Sequence, residues 1–325
     1  MRKEYDMLLG YTWIQWLFFF FFYCFFGWCF ESTYVSLKSK KFVNRGFIRG
    51  PFLPIYGSGA LMMLIVSMPF RDSLVLTYLA GCVGATVLEY VTGVTMEALF
   101  KVRYWDYSQN RFNFQGHICL GSSLAWGVLT ILMTHLVHKP VEELAFWLPE
   151  GVLTTVTMLV TIYFVVDFTL SFRAALDLRD VLVRMEQAKK ELERMQRRLD
   201  VIIALNEEEK EQKKKEREEE LAETLEGFAV RRDELIESIE ERFVKIREAL
   251  PGSEFLLEKR EELLELRSRF RMYMEKQERT QFVSDFIKRG MIKGNPMMVS
   301  RRFSDALEEL KQSAQEYRKK KKDEE

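Results

Sequence analysis

The chain has 325 residues, 48% of them apolar and 30% charged, and its 48 Lys/Arg are offset by 48 Asp/Glu to a formal net charge of zero. Neither half carries the basic excess that a phosphate-binding surface needs, which excludes a nucleic-acid partner. The residues are also divided unevenly, with 12 Lys/Arg and 11 Asp/Glu up to Phe172, 36 and 37 after it, and all 6 Trp, 4 Cys and 3 His before it, which excludes a single soluble globular domain.

Tyr11–Phe30 is a 20-residue run whose only strongly polar side chain is Gln15, enough at 1.5 Å per residue to cross about 30 Å of hydrocarbon. It is too long for a signal-peptide core and is followed by Glu31 and a basic loop, so it is expected to be retained. Four further apolar segments predict a helical membrane bundle of about five spans, over 11–31, 52–69, 74–100, 118–138 and 149–172. The second opens with Pro51 and Pro54 and is the one that could be re-entrant. Ala80, Gly81, Gly84 and Ala85 in the third form a small-residue pattern that favours close helix packing. Cys24, Cys29, Cys82 and Cys119 lie in apolar or interfacial stretches without CxxC spacing and read as reduced packing residues.

Orientation follows from the bias of Lys and Arg toward cytoplasmic loops. Lys38, Lys40, Lys41, Arg45 and Arg49 lie in the first loop and Lys101, Arg103 and Arg111 in the third. The other side receives Arg2, Lys3, Arg71 and Lys139. The N-terminus is therefore expected outside and the charged C-terminal half in the cytoplasm. Counting along the third span from Leu74 places Glu89 about 22 Å and Glu97 about 34 Å from its outer end. Asp167 lies about 22 Å along the fifth span by the same count, and Glu31 closes the first. The ionisable residues of the bundle thus collect toward the inner face, where charge in hydrocarbon marks candidate functional positions. Glu89, Gly93 and Glu97 share one helix face. Glu89 reads as functional or as a structural carboxylate paired with an Arg, Glu97 as functional or snorkelling.

The inner loops have defined shapes, because Gly permits crowded or left-handed backbone and Pro fixes φ. The first span ends Gly27-Trp28-x-x-Glu31, and the first loop reads FVNRGFIRGPFLPIYG. LEY, MEALF, YWDYS, FN, G-x-IC and S-x-x-WG follow between Leu88 and Gly127. Over about residues 10–170 this pattern resembles the bacterial family of putative ABC-transporter type IV, or CmpB-like, membrane permeases. The resemblance implies a transport permease subunit in the bacterial cytoplasmic membrane.

No GxxxxGK[ST] phosphate loop occurs in the sequence, so an ATPase is expected on a separate chain. Candidate residues for a substrate or lipid headgroup at the inner face are Glu31, Arg45, Arg49, Glu89, Glu97, Trp105, Asp106, Tyr107 and Asn113. Their charges can equally be structural ion pairs that hold the loops to the bundle, or a site in which Arg forks bind phosphate or carboxylate. His117 and Cys119 pair a base with a nucleophile but stand two residues apart and point different ways. HExxH, DxDx and paired CxxC spacings are missing, so catalytic residues, metal and cofactor are all expected to be none.

Beyond the bundle, Leu178, Val181, Met185, Ala188, Leu192, Met195, Leu199 and Ile202 alternate spacings of 3 and 4, a heptad seam. Residues 173–250 therefore read as a cytoplasmic coiled coil with a charged joint at 206–220. Residues 254–325 read as a returning helix after Pro251-Gly252-Ser253, a short last helix beyond Gly290–Pro296, and a disordered tail. The fold class is all-α, a polytopic membrane bundle with a helical extension. Its partners are membrane lipids, a separate ATPase subunit, and a second copy or cytoplasmic protein on the coiled coil. The alternatives to a transport subunit are a membrane-anchored scaffold and an anionic-headgroup binder or enzyme.

Overall fold

The computed structural model describes residues 7–212, 232–249, 256, 258–275 and 285–323. Helix dominates. Four helices are long and apolar enough to cross a membrane: Trp13–Ser39, Leu74–Phe100, Leu120–Trp147 and the first part of the helix that begins at Glu150. A shorter apolar helix covers Pro54–Phe70. The chain divides into two compact units, one made of residues 1–180 and 282–325 and the other of 181–281.

A hairpin of β1 (Met7–Leu8) and β2 (Tyr11–Thr12) leads into α1, Trp13–Ser39. Thr12 starts α1 because its hydroxyl accepts from Gln15 N–H while the Gln15 side chain accepts from Thr12 N–H, a reciprocal cap for two donors that the helix leaves open. Lys40, in the left-handed region at φ 50°, ends it. Helix α2, Pro54–Ser67, has Pro at its first turn, where no N–H partner is needed, and is prolonged by the tight turn Met68–Phe70. Its 14 residues rise only about 21 Å, so the segment expected as the second span is shorter than its neighbours. Ser73 caps α3, Leu74–Phe100. Strands β3 (Asn113–Phe114) and β4 (Ile118–Cys119) pair before α4, Leu120–Leu132. A π-turn over Met133–Val137 joins α4 to α5, His138–Trp147, and α6 runs from Glu150 to Gln212.

Close approach holds the bundle together. A Cβ on Gly57 of α2 would come within 2.4 Å of Cys24 Sγ and 2.7 Å of the Phe20 carbonyl oxygen, so only Gly lets α1 and α2 cross there. Gly81 stands against Thr130 in the same way and brings α3 onto α4, the close packing expected of the small-residue pattern in the third span. Aromatic rings fill the remaining volume. Tyr11, Trp16 and Phe19 cluster with Leu64 and Val141, and Phe21 meets Phe52 and Phe164 edge to face. Much of the outward surface of α3 and α6 is aliphatic, with Val75, Val83, Leu159 and Ile162 more than half exposed, as lipid-facing helices require.

In the second unit, the seam residues Leu192, Met195, Leu199 and Ile202 of α6 are buried. They pack with Ile239 and Ile246 of α7 (Arg232–Ala249) and with Leu263, Leu266 and Phe270 of α8 (Arg260–Glu275). The seam is thereby covered within one chain. Arg242 binds Asp200, and Gln196 donates to Ser238 at 3.0 Å across the same contact. The expected turn at Pro251-Gly252-Ser253 and most of the charged joint lie outside the described residues.

After α9, Phe286–Gly294, the chain runs back to the first unit's loops before α10, Ser304–Asp323. Val299 exchanges two backbone hydrogen bonds with Arg103, at 2.7 and 2.9 Å, an isolated antiparallel bridge.

Candidate functional site

The polar residues at the ends of α1 and α3 form three networks within the first unit. In the first, Glu31 near the end of α1 accepts from Tyr56 Oη at 2.9 Å and faces Arg45 Nε at 3.5 Å. Arg45 also donates to the Gly294 carbonyl at 3.2 Å and to Asn295 Oδ1 at 3.0 Å. The Asn295 amide completes the circuit by donating to the Gly46 carbonyl at 2.9 Å. Asn295 is 1% exposed, so these bonds are made away from water. On the other side of the loop, Gly50 N–H donates to Asp167 of α6 at 2.6 Å, and a Cβ on Gly50 would strike both Asp167 and Tyr163. The Arg-Gly spacing of this loop therefore sets a path pinned at Glu31, Asn295 and Asp167.

The second network centres on Arg103, whose side chain is 4% exposed. It reaches Glu97 at 2.7 Å, Asp106 at 3.3 Å and the Gln115 carbonyl at 2.9 Å. His117 Nε2 stands 3.0 Å from Glu97, and Gly93 leaves the space on α3 that the imidazole occupies. Trp105 donates to the His117 carbonyl at 3.0 Å. Burial works against the Arg103 charge, but its bonds to Glu97 and then Asp106 outweigh that and hold the guanidinium above its ordinary value. Burial likewise opposes ionisation of Asp106. The hydroxyl and N–H of Ser108 and then Arg103 prevail, so its carboxyl stays below the usual range. Burial, and after it the Arg103 charge, push His117 down, against the opposite pull of Glu97.

Glu89 anchors the third. It is 6% exposed and accepts from Tyr107 at 3.0 Å, Trp126 at 3.0 Å and Ser122 at 3.3 Å. Three neutral donors converge on one buried carboxylate, and no ion pair to it occurs among the described residues. The anticipated Arg partner is replaced by a phenol, an indole and a hydroxyl, which satisfy the oxygens without importing a second charge into the bundle. Cys119 is the start cap of α4, its Sγ accepting from Ser122 N–H at 3.4 Å and Asn110 Nδ2 at 3.6 Å.

The nine predicted residues are thus divided. Glu31 and Arg45 meet, Glu97 and Asp106 are joined through Arg103, and Tyr107 binds Glu89. Trp105 braces His117, while Asn113 knits its own loop by donating to the Asn110 carbonyl at 2.8 Å and accepting from Gly116. Arg49 lies on the wall of a cavity shared with α9. The predicted set omits Arg103, the hub of one network, and Asn295, the closure of another. Arg103 carried a signal, as the basic residue between Glu97 and Asp106. Asn295 carried none beyond a Gly-Asn-Pro break, because its partners are about 250 residues away.

Towards the opposite ends of α1 and α5, Tyr11, Tyr23, His138 and Glu142 form a separate chain. Tyr11 donates to Glu142, so its oxygen can only accept from His138 Nε2 at 3.2 Å, and His138 Nδ1 then accepts from Tyr23 at 2.9 Å. One direction of donation satisfies every member, with His138 neutral and protonated on Nε2.

Residues 18–172 match the family model described as a putative ABC-transporter type IV. No curated protein and no solved structure matches the chain.

Proposed function

We propose, from the match of residues 18–172 to that family model, that the chain is the permease-like subunit of a membrane transporter whose ATPase is a separate polypeptide. The supporting observation is that the matched residues coincide with the apolar helices, while the three networks join the ends of α1, α3 and α4 through the loops that carry most of the bundle's basic residues. By the bias of Lys and Arg that end faces the cytoplasm, with the N-terminus outside and the substrate-recognising residues among Glu31, Arg45, Arg49, Glu89, Glu97, Trp105, Asp106, Tyr107 and Asn113. Helix ends braced by partly buried ion pairs supply a frame, and the neutral-donor shell of Glu89 supplies one carboxylate inside the bundle without a fixed counter-charge among the described residues.

The test is reconstitution of the full chain with its co-purifying ATPase in vesicles. ATP hydrolysis coupled to uptake should be abolished by Arg49→Ala or Glu89→Ala while membrane insertion stays intact. Full coupled activity in both variants removes the polar site, and purification from native membranes without any ATPase removes the subunit assignment. A reporter fused at Lys139 should appear outside, and a cytoplasmic signal there reverses the orientation.

A further inference from the structure

A cavity of about 590 Å³ lies between the first loop and the C-terminal segment, within the size range of small-molecule sites. Among the described residues Lys41, Arg49, Lys293 and Lys311 line it, and no Asp or Glu does. Lys311 meets Glu308 at 2.8 Å, but Glu308 is largely exposed, and Arg49 and Lys293 have neighbours of their own. The described lining thus contains four cationic side chains. Its remaining wall is apolar, including Phe47, Ile48, Met291 and Ile292.

Ser171 adds an independent observation. It lies in the same lining, is 1% exposed, and its hydroxyl has no hydrogen-bond partner among the described residues. A helical Ser commonly bonds back to the carbonyl four residues earlier, whereas this one is left as a buried donor without a partner among the described residues. An unpaired buried hydroxyl is destabilising, and a ligand with several acceptor oxygens removes that cost. A second cavity of about 600 Å³ beside Arg103 differs in this respect, because Glu97 lies in its lining and binds the guanidinium.

We propose that the first cavity binds an amphiphile that ends in a net-anionic phosphate monoester. The phosphate sits among Lys41, Arg49 and Lys293 with the Ser171 hydroxyl donating to it, and the apolar stem lies along Phe47 and Ile292. A phosphate has the several acceptor oxygens and the charge that this set can satisfy together. Assigning its source to the membrane as a lipid headgroup rests on the inner-face orientation proposed above. The same chemistry would accept a soluble phosphate compound from the cytoplasm.

The experiment is native mass spectrometry of the full chain in detergent, titrated with dioleoyl phosphatidate, dioleoyl phosphatidylcholine or inorganic phosphate. Phosphatidate should be retained in preference to phosphatidylcholine, and Lys293→Glu should weaken it about tenfold. Ser171→Ala should weaken it as well while leaving the ligand-free melting temperature unchanged or raised, a combination that a merely structural Ser cannot give. Lys311→Glu, at a partly exposed site, serves if Lys293→Glu fails to fold. Binding of inorganic phosphate without phosphatidate overturns the assignment to an amphiphile and leaves a soluble phosphate compound as the ligand. Equal retention of phosphatidylcholine, or phosphatidate binding unaltered in these variants, overturns the proposal. Transport is not part of the readout, so a failed reconstitution and a failed titration refute different statements.

Discussion

Asn295→Ala should loosen the hold of the C-terminal segment on the loops that follow α1 and α3. Asn295 makes three bonds beyond its own element or to it: Arg45 donates to its Oδ1 at 3.0 Å, and its amide donates to the Gly46 and Met291 carbonyls at 2.9 and 3.0 Å. Two neutral bonds at about 1 kcal/mol each and one to a charged group at about 1.5 kcal/mol give a loss of roughly 3–4 kcal/mol. Removing the side chain also leaves buried carbonyls unpaired, which works in the same direction. That loss raises the open population of the segment by on the order of a hundredfold. Hydrogen exchange at the amides of Arg103 and Val299 reads it directly, because each bonds to the other's carbonyl and neither is exposed by local fraying of a long helix. Both should exchange on the order of a hundred times faster in the variant, with Gln312→Ala on the exposed side of α10 as the unaffected control. Unchanged exchange at both amides would refute the argument that Asn295 seats this segment.

Three more outcomes follow from particular contacts. Gly57→Ala should cost several kcal/mol, on the order of other overpacked core sites, since its Cβ meets Cys24 and a carbonyl, while Gly59→Ala, with nothing within 4 Å, should be neutral or stabilising by up to about 1 kcal/mol in thermal unfolding. Because His117 is held below its usual value of about 6.5, it binds its proton less readily folded than unfolded. Its contribution to stability is fully present above that unfolded value and drains away as pH falls through the native one, so the melting temperature should drop in mild acid and His117→Gln should flatten that part of the profile. Leu199→Ala should destabilise the second unit by about 2–5 kcal/mol, and its melting should not depend on protein concentration if α7 and α8 cover the seam. A concentration-dependent midpoint would show a seam shared between copies.

The all-helical class and the membrane helices were legible because lipid-facing helices must be apolar over some 20 residues, and the loop motifs were legible because their Gly and Pro positions restrict the backbone. Glu89 was visible as an acid in an apolar run. Its donors were not, since Tyr107, Ser122 and Trp126 are ordinary interfacial residues until α3 and α4 pack. The pairing of Glu97 with Arg103 was within reach of counting, at six residues' separation. Arg45 illustrates the opposite case. Glu31 could be suggested by loop length, but Gly294 and Asn295 join the site only through a chain path that leaves the first unit and returns. Removing residues 173–325 therefore takes away part of the loop scaffold, and is not the simple loss of an appendage that heptad spacing suggests.

The bridge between Arg103 and Val299 also sets a timetable. Synthesis proceeds at roughly 5–20 residues per second, and about 200 residues separate the two strands of the bridge. The helices up to α3 are therefore made some 10–40 seconds before the segment that closes over their loops. For that interval Arg45, Gly46 and the Arg103 main chain lack the Gly294, Asn295 and Val299 partners they meet in the finished fold. A folding factor or assembly partner that needs those loops open meets them most readily on a nascent chain.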